Sequence, residues 1–329
     1  MIFILKNQTY IKKIKNMNIL IYGFGRMGLT HFSILNGLDS DHDFYVIEPN
    51  KLLRTILNKN IKAKFYSDDS ALKEPFDITL ITTPPSFHLQ LLEKSIKRGD
   101  KKIFIEKPFG GYTNINFDDN NVTKKIYIGY VLRFNPCIQW VKSNINSQEI
   151  KSIHGQYLSN TIEKKPTGWR NGSFSGVLNE MGSHVIDLIQ YIICTNEMNV
   201  ENSKIESVIS DVDDIVEATL RTKDDLQVSI YLNWVKKDVR KPVFKIEIKM
   251  KDGHKYFIDQ QQIKKYSASG EYLSKVTVTD IVQTVPFYLR GVDFTNQMKS
   301  LIEDGAEMAK LDNALGVNRI MNKILNHEN

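Results

Sequence analysis

Residues Met17–Leu35 read MNILIYGFGRMGLTHFSIL: an apolar run of strand length, a turn broken by glycines, and a stretch compatible with a helix. Strand, tight turn and helix in that order form the setting in which GxGxxG binds a dinucleotide, and Gly23, Gly25 and Gly28 supply the motif. The first glycine permits the turn, the second lets a pyrophosphate approach the backbone, and the third lets helix and strand pack closely. Arg26 and Met27 open the helix, whose first N–H groups lack intrahelical acceptors and whose positive dipole end faces the phosphates.

The residues that follow extend this reading. Phe44–Ile47 (FYVI) reads as a second buried strand and ends at Glu48, twenty residues beyond Gly28. A carboxylate there accepts both ribose hydroxyls of NAD and repels the 2′-phosphate of NADP. Lys51 and Arg54 nearby keep NADP open as an alternative. Further strands at Phe76–Ile81 and Lys102–Ile105, separated by a helix over Phe87–Arg98, predict a doubly wound parallel sheet. Ligands of such sheets lie beyond the carboxyl ends of the strands. Here those ends carry Thr82-Thr83-Pro84-Pro85, with His88 following, and Glu106-Lys107-Pro108.

The second half changes character. Leu226, Val228, Ile230, Leu232 and Trp234 alternate with polar residues, and Phe244, Ile246, Ile248 and Met250 repeat the period of two. Asp252-Gly253 before Lys255–Ile258 is a hairpin signal. With strand-like runs at Ile153–Leu158 and Ile215–Leu220, the expectation is a large, mostly antiparallel open sheet with helices on one face. Its other face is available to a partner subunit, which favours a homodimer or homotetramer. Gly176–Tyr191 (GVLNEMGSHVIDLIQY) reads as a helix with an apolar stripe at Met181, Val185, Leu188 and Ile192, and with Glu180, His184 and Asp187 on one face. Taken alone, such a polar face is more often solvated than catalytic. A zinc site lacks a further His or Cys at a familiar spacing. Gly182 inside a helix implies that something approaches the backbone closely there.

A chain of 329 residues suggests two domains, and the patterns divide it into an N-terminal extension over 1–16, a dinucleotide-binding domain over 17–130 and a substrate-binding and oligomerisation domain over 131–329. The fold class is α/β followed by α+β. The net charge of +6 is scattered rather than gathered into a basic stripe, which argues against nucleic acid. No apolar run reaches membrane-spanning length. Two distant cysteines, Cys137 and Cys194, fit a reducing compartment, so the cytoplasm is expected. Residues 1–16 place their apolar stretch before their lysines, the reverse of a secretory signal, and Met17 is an alternative start.

Five motifs occur in register: GFGRMGLTH (23–31), TTPPSFH (82–88), EKP (106–108), GYVLRFNP (129–136) and NEMGSHVID (179–187). Together they resemble the glucose-fructose oxidoreductase and inositol dehydrogenase family (Gfo/Idh/MocA), from Met17 to the end and including a closing helix at Phe287–Glu303. The resemblance implies a Rossmann domain joined to an α/β domain. It also implies NAD(H)- or NADP(H)-dependent chemistry on a sugar, polyol or related carbonyl. It assigns Lys107 to substrate and the nicotinamide ribose, His184 to acid/base work and Glu180 to a supporting acidic position that is usually Asp. Thr83, Pro84, His88, Glu106 and Arg170 fall in segments near the cofactor, and Trp169, Arg133 and Asn135 line the cleft or pack it. The segment 109–128 is shorter than in relatives, and its Asn, Asp and Gly content opposes a crossover helix. A truncated loop there exposes a sheet face or is covered by a partner chain. Two other functions fit the same residues: a dinucleotide-binding sensor or accessory subunit without turnover, and a reductase of a non-sugar C=N or C=O bond.

Overall fold

The structure is a computed structural model and describes residues 16–39, 41–113, 115, 123, 125–167, 172, 175–282 and 291–327. The opening run forms strand β1 (Asn18–Tyr22), and Ile19, Leu20 and Ile21 are fully buried, as a central strand covered on both faces requires. Five more strands join it: β2 (Asp43–Ile47), β3 (Lys64–Tyr66), β4 (Ile78–Ile81), β5 (Ile103–Ile105) and β6 (Ile126–Ile128). They run parallel in the order β3-β2-β1-β4-β5-β6, with α1 (Arg26–Leu38), α2 (Lys51–Asn60) and α3 (His88–Arg98) between them. This is the doubly wound Rossmann order, whose direction reverses between β1 and β4. At that reversal Thr82 Oγ1 donates to the Tyr22 and Gly23 carbonyls, at 3.0 and 2.7 Å, and ties the two loops together.

After the short helix α4 (Pro136–Asn144), capped by the Asn135 side chain, the chain enters a second sheet. Its strands are β7 (Ile150–Leu158), β8 (Asn199–Glu206), β9 (Ile215–Arg221), β10 (Gln227–Asn233), β11 (Val243–Met250), β12 (Lys255–Asp259), β13 (Gln262–Tyr266) and β14 (Tyr272–Thr277). The order is β14-β13-β12-β11-β7-β10-β9-β8, antiparallel throughout except for the β7–β10 pair. Ile153, Val228, Ile230, Leu232, Phe244, Ile246 and Ile248 are buried on one face, while Ser152, His154, Gln156, Ser229 and Glu247 stand on the other. The β11–β12 turn uses Gly253 at φ +90, a conformation the Asp-Gly signal anticipates.

Helix α5 (Ser183–Ile193) lies on the apolar face of this sheet, where Gly155 on β7 leaves room for it: a Cβ there would meet Val185 and Ile189. Beyond the four-residue helix α6 (Val278–Ile281) and helix α7 (Val292–Glu303) comes β15 (Ala309–Lys310), which pairs antiparallel with β6 and becomes the seventh strand of the first sheet. The closing helix expected over Phe287–Glu303 therefore begins at Val292, and its first expected turn lies outside the described residues. Helix α8 (Leu311–Asn326) packs against β6, β8 and α5, so it touches both sheets. Its Asn318 donates to the Gly110 and Tyr112 carbonyls and its Arg319 to Thr113, which secures the start of the short 109–128 segment within this same chain. Residues 114, 116–122 and 124 of that segment lie outside the described set. Among the described residues no helix is long and apolar enough to cross a membrane.

Candidate active site

The three glycines of the first loop behave differently. Gly23 has φ +83, in the left-handed region that favours glycine, and donates its N–H to Ile47 at 3.0 Å. A Cβ on Gly28 would collide with the Gly23 carbonyl and the Thr82 hydroxyl, so this residue lets α1 sit on the turn. Among the described residues, a Cβ on Gly25 would meet no atom within 4 Å: the space over that residue is open to them. No side chain caps the first turn of α1. An open glycine, an uncapped helix start and a carboxylate at the end of β2 fit the pyrophosphate and ribose of a dinucleotide. That carboxylate is Glu48, whose oxygens accept from Phe24 N at 3.4 Å and Asn50 N at 2.9 Å, beside the glycine turn. Arg54 is turned back onto the Glu48 and Pro49 carbonyls, at 2.6 and 2.7 Å. Arg26 is exposed and Met27 half-buried at the start of α1.

Across the reversal, Thr83 and Pro84 form the turn after β4. Buried His88 pins it through a 2.8 Å hydrogen bond between Nε2 and the Thr83 carbonyl. Burial holds this imidazole below its ordinary pKa. Glu106, at the end of β5, is also buried, and its carboxylate is bound to His31 Nε2 of α1 at 2.6 Å. This contact ties the end of β5, next to Lys107, to helix α1. The Lys107–Pro108 peptide is cis.

Lys107 reaches across to the second domain, where its Nζ donates to the Glu180 main-chain carbonyl at 2.7 Å. That carbonyl lies in a wide i to i+5 turn, Leu178–Gly182, which precedes α5. The sequence reads as a continuous α-helix from Gly176; the structure instead inserts a π-turn, a feature that recurs at functional sites because it re-aims the residues around it. Gly182 sits in that turn against Leu178 and Leu232, whose methyls a Cβ would crowd, so the close approach it implies is apolar packing on β10. His184 follows, buried, with the rings of Tyr130 and Tyr157 each 6.2 Å from it by centroid. Burial first, and then the Lys107 cation, hold His184 well below the ordinary imidazole value. An imidazole held so low is neutral at pH 7.

Asp187 stands one turn further on, and the structure gives it a partner in the protein rather than an open position. Its carboxylate takes both Nε and Nη2 of Arg133, at 2.8 and 2.6 Å, in a fully buried fork. Arg133 is thereby a packing residue under the site, and Asn135 is the cap of α4 that also donates to the Gln260 carbonyl at 3.1 Å. Trp169 and Arg170 lie outside the described residues. Sequence reasoning missed Tyr157, although the alternation of Ile153, Gly155 and Tyr157 on β7 places it on the helix face two residues beyond the glycine that admits α5. It also missed Asp213, whose carboxylate accepts from Leu178 N at 2.6 Å; no local pattern signals that contact.

Two family models match the chain: "Oxidoreductase family, NAD-binding Rossmann fold" over residues 17–113, and "GFO/IDH/MocA C-terminal domain" over residues 147–254. The chain belongs to the Gfo/Idh/MocA family. Its N-terminal part is accordingly an NAD-binding Rossmann domain, and the oxidoreductase class follows from the family. Among solved structures it is similar to levoglucosan dehydrogenase in complex with NADH (17% identity, TM-score 0.79). It is also similar to an oxidoreductase domain protein from Kribbella flavida (16%, 0.77) and to UDP-N-acetylglucosamine 3-dehydrogenase from Acidithiobacillus ferrooxidans (15%, 0.71). Each similarity covers 94% of this chain and 96% of the other. At these identities the likeness is one of fold. No curated protein matches the sequence.

Proposed function

We propose that this Gfo/Idh/MocA member transfers a hydride between NAD and the carbinol or carbonyl carbon of a sugar, polyol or sugar derivative. The observation that carries the reading is the meeting of Lys107 with the wide turn of Glu180 and with His184, beyond the carboxyl end of β5. Bound NAD supplies the hydride acceptor. The chain's own part is the proton. Neutral His184, walled by Tyr130 and Tyr157, accepts the hydroxyl proton as the carbinol carbon is oxidised, and returns it in the reverse direction. Lys107 donates a hydrogen bond to the same oxygen and stabilises the negative charge that develops on it. The Glu180 carbonyl holds the ammonium in place between turnovers. Glu48 accepts the ribose hydroxyls and so favours NAD over NADP.

The sugar-oxidising names among the structural neighbours support the substrate class. The test is to follow nicotinamide absorbance with NAD and a panel of sugars, polyols and their derivatives, after establishing NADH binding by thermal protection. Lys107→Ala and His184→Ala should each lower kcat by about 10²- to 10⁴-fold with NADH protection retained. A near-wild-type rate in either variant would remove that residue from its role. NADH binding with no turnover on any substrate would favour a sensor.

A further inference from the structure

We infer that Asp213 is a positioning residue for this site: from the loop between β8 and β9 its carboxylate clamps the first residues of the site helix. The clamp fixes the wide turn that brings the Glu180 carbonyl to Lys107 and sets His184 beneath it. The inference rests on the proposed function for its catalytic consequence, but the clamp itself is independent of it.

Three consecutive residues are seated on Asp213. Gly176, at φ +103, passes so close that a Cβ would run into the carboxylate. Val177 N donates to the Asp213 carbonyl at 2.8 Å, and Leu178 N to its Oδ2 at 2.6 Å. Leu178 is the first residue of the i to i+5 turn, so the acceptor acts where the widening begins. A clamp positions only if its own base is rigid, and the neighbouring residue provides that. Asp214 Oδ2 takes the N–H groups of Val208, Ile209 and Ser210, at 2.6, 2.6 and 2.9 Å. Its Oδ1 takes the Ser210 hydroxyl and Trp234 Nε1, both at 2.6 Å. The loop is therefore nailed to fully buried Trp234 just beyond β10. Two adjacent acids divide the work: Asp214 fixes the loop and Asp213 holds the helix.

Burial, with smaller contributions from Asp214 and Glu180, pushes the Asp213 carboxyl up to about 6. The contact with Leu178 N asks only for an acceptor oxygen, which the amide of an asparagine also presents.

The experiment compares Asp213→Ala and Asp213→Asn in the full chain. It reads hydrogen exchange of the peptide covering 176–185, acylation of Lys107 by acetic anhydride followed by mass spectrometry, and turnover. The Ala variant should exchange and label several-fold faster while its melting transition remains cooperative. Its kcat should fall by about tenfold or more at unchanged KM for the nicotinamide cofactor. The Asn variant should restore all three. Wild-type exchange and labelling in a folded Ala variant would overturn the inference, because a residue that contributed only stability would lower the melting point without loosening this turn. Should the Ala variant not fold, Gly176→Ala, whose methyl displaces the carboxylate, must give the same local signature, and its absence would overturn the inference equally. No turnover in the wild-type protein, together with these exchange and labelling changes in the Ala variant, would refute the proposed hydride transfer and leave the clamp standing.

Discussion

At the scale of single residues, the glycine loop separates two jobs that one motif performs. Gly25 faces open space and Gly28 faces the Gly23 carbonyl. Gly25→Ala should therefore fold with an unchanged melting point and bind NADH more weakly, by about tenfold or more. Gly28→Ala should lower stability by about 1–3 kcal/mol through overpacking, whatever it does to the cofactor. Calorimetry and nicotinamide fluorescence on the two variants check this; equal melting points would show that Gly28 is not needed for packing. The close packing at Gly28 and the place of Glu48 beside the glycine turn were legible because a spacing carries them. The partner of Glu106 was not: His31 lies in the quoted motif, but nothing in a linear string joins it to a residue 75 positions away. The state of His184 was hidden for a related reason, since burial and the neighbouring lysine set it, and both come from the fold.

At the scale of elements, the site helix was legible in its existence and face but not in its first turn. The apolar stripe at Met181, Val185, Leu188 and Ile192 demands a helix; a single turn widened by one residue changes too few positions to disturb that period. What anchors the helix was also unreadable, because nothing in the sequence pairs Asp187 with Arg133, 54 positions away. Their side chains are only 1% and 5% exposed. Removing one partner of such a pair strands a buried charge. Asp187→Ala should cost about 3–5 kcal/mol in urea unfolding, and a loss below about 1 kcal/mol would show the pair to be dispensable. The strands left unread at the ends of the second sheet, β8 and β14, have a physical excuse. Both are edge strands, exposed or half-buried along nearly all of their length, and lack the alternation that betrays a half-buried strand.

For the whole molecule, acid should be destabilising. His42, His88, His154 and His184 are all held below the ordinary imidazole value, with burial the leading cause in each. As pH falls below about 6.5 the unfolded chain takes up protons that the native protein refuses, so stability is lost through that range. Asp213 works in the opposite direction, protonating in the native state from about 6 downward and before the unfolded chain does. Asp187, also raised by burial, acts in the same sense as Asp213, and four groups against two set the sign: the thermal midpoint should be lower near about pH 5.5 than near about pH 7.5. A midpoint that holds or rises would mean these imidazoles are not buried as described.

The final helix carries a consequence for how the protein comes into being. Strand β15 and helix α8 leave the ribosome after the other strands of both sheets, yet they close the edge of the first sheet beside β6 and hold residues 110–113. Synthesis proceeds from the other end, so for most of translation the nascent Rossmann half has an open flank and an unsecured Lys107 turn. The glycine loop meets its own neighbours, Ile47 and Thr82, early, whereas the β6 flank waits for these later elements. Such a chain matures late and all at once, and a ribosome stalled short of Ala309 would display an unpaired β6 edge to whatever strand came near.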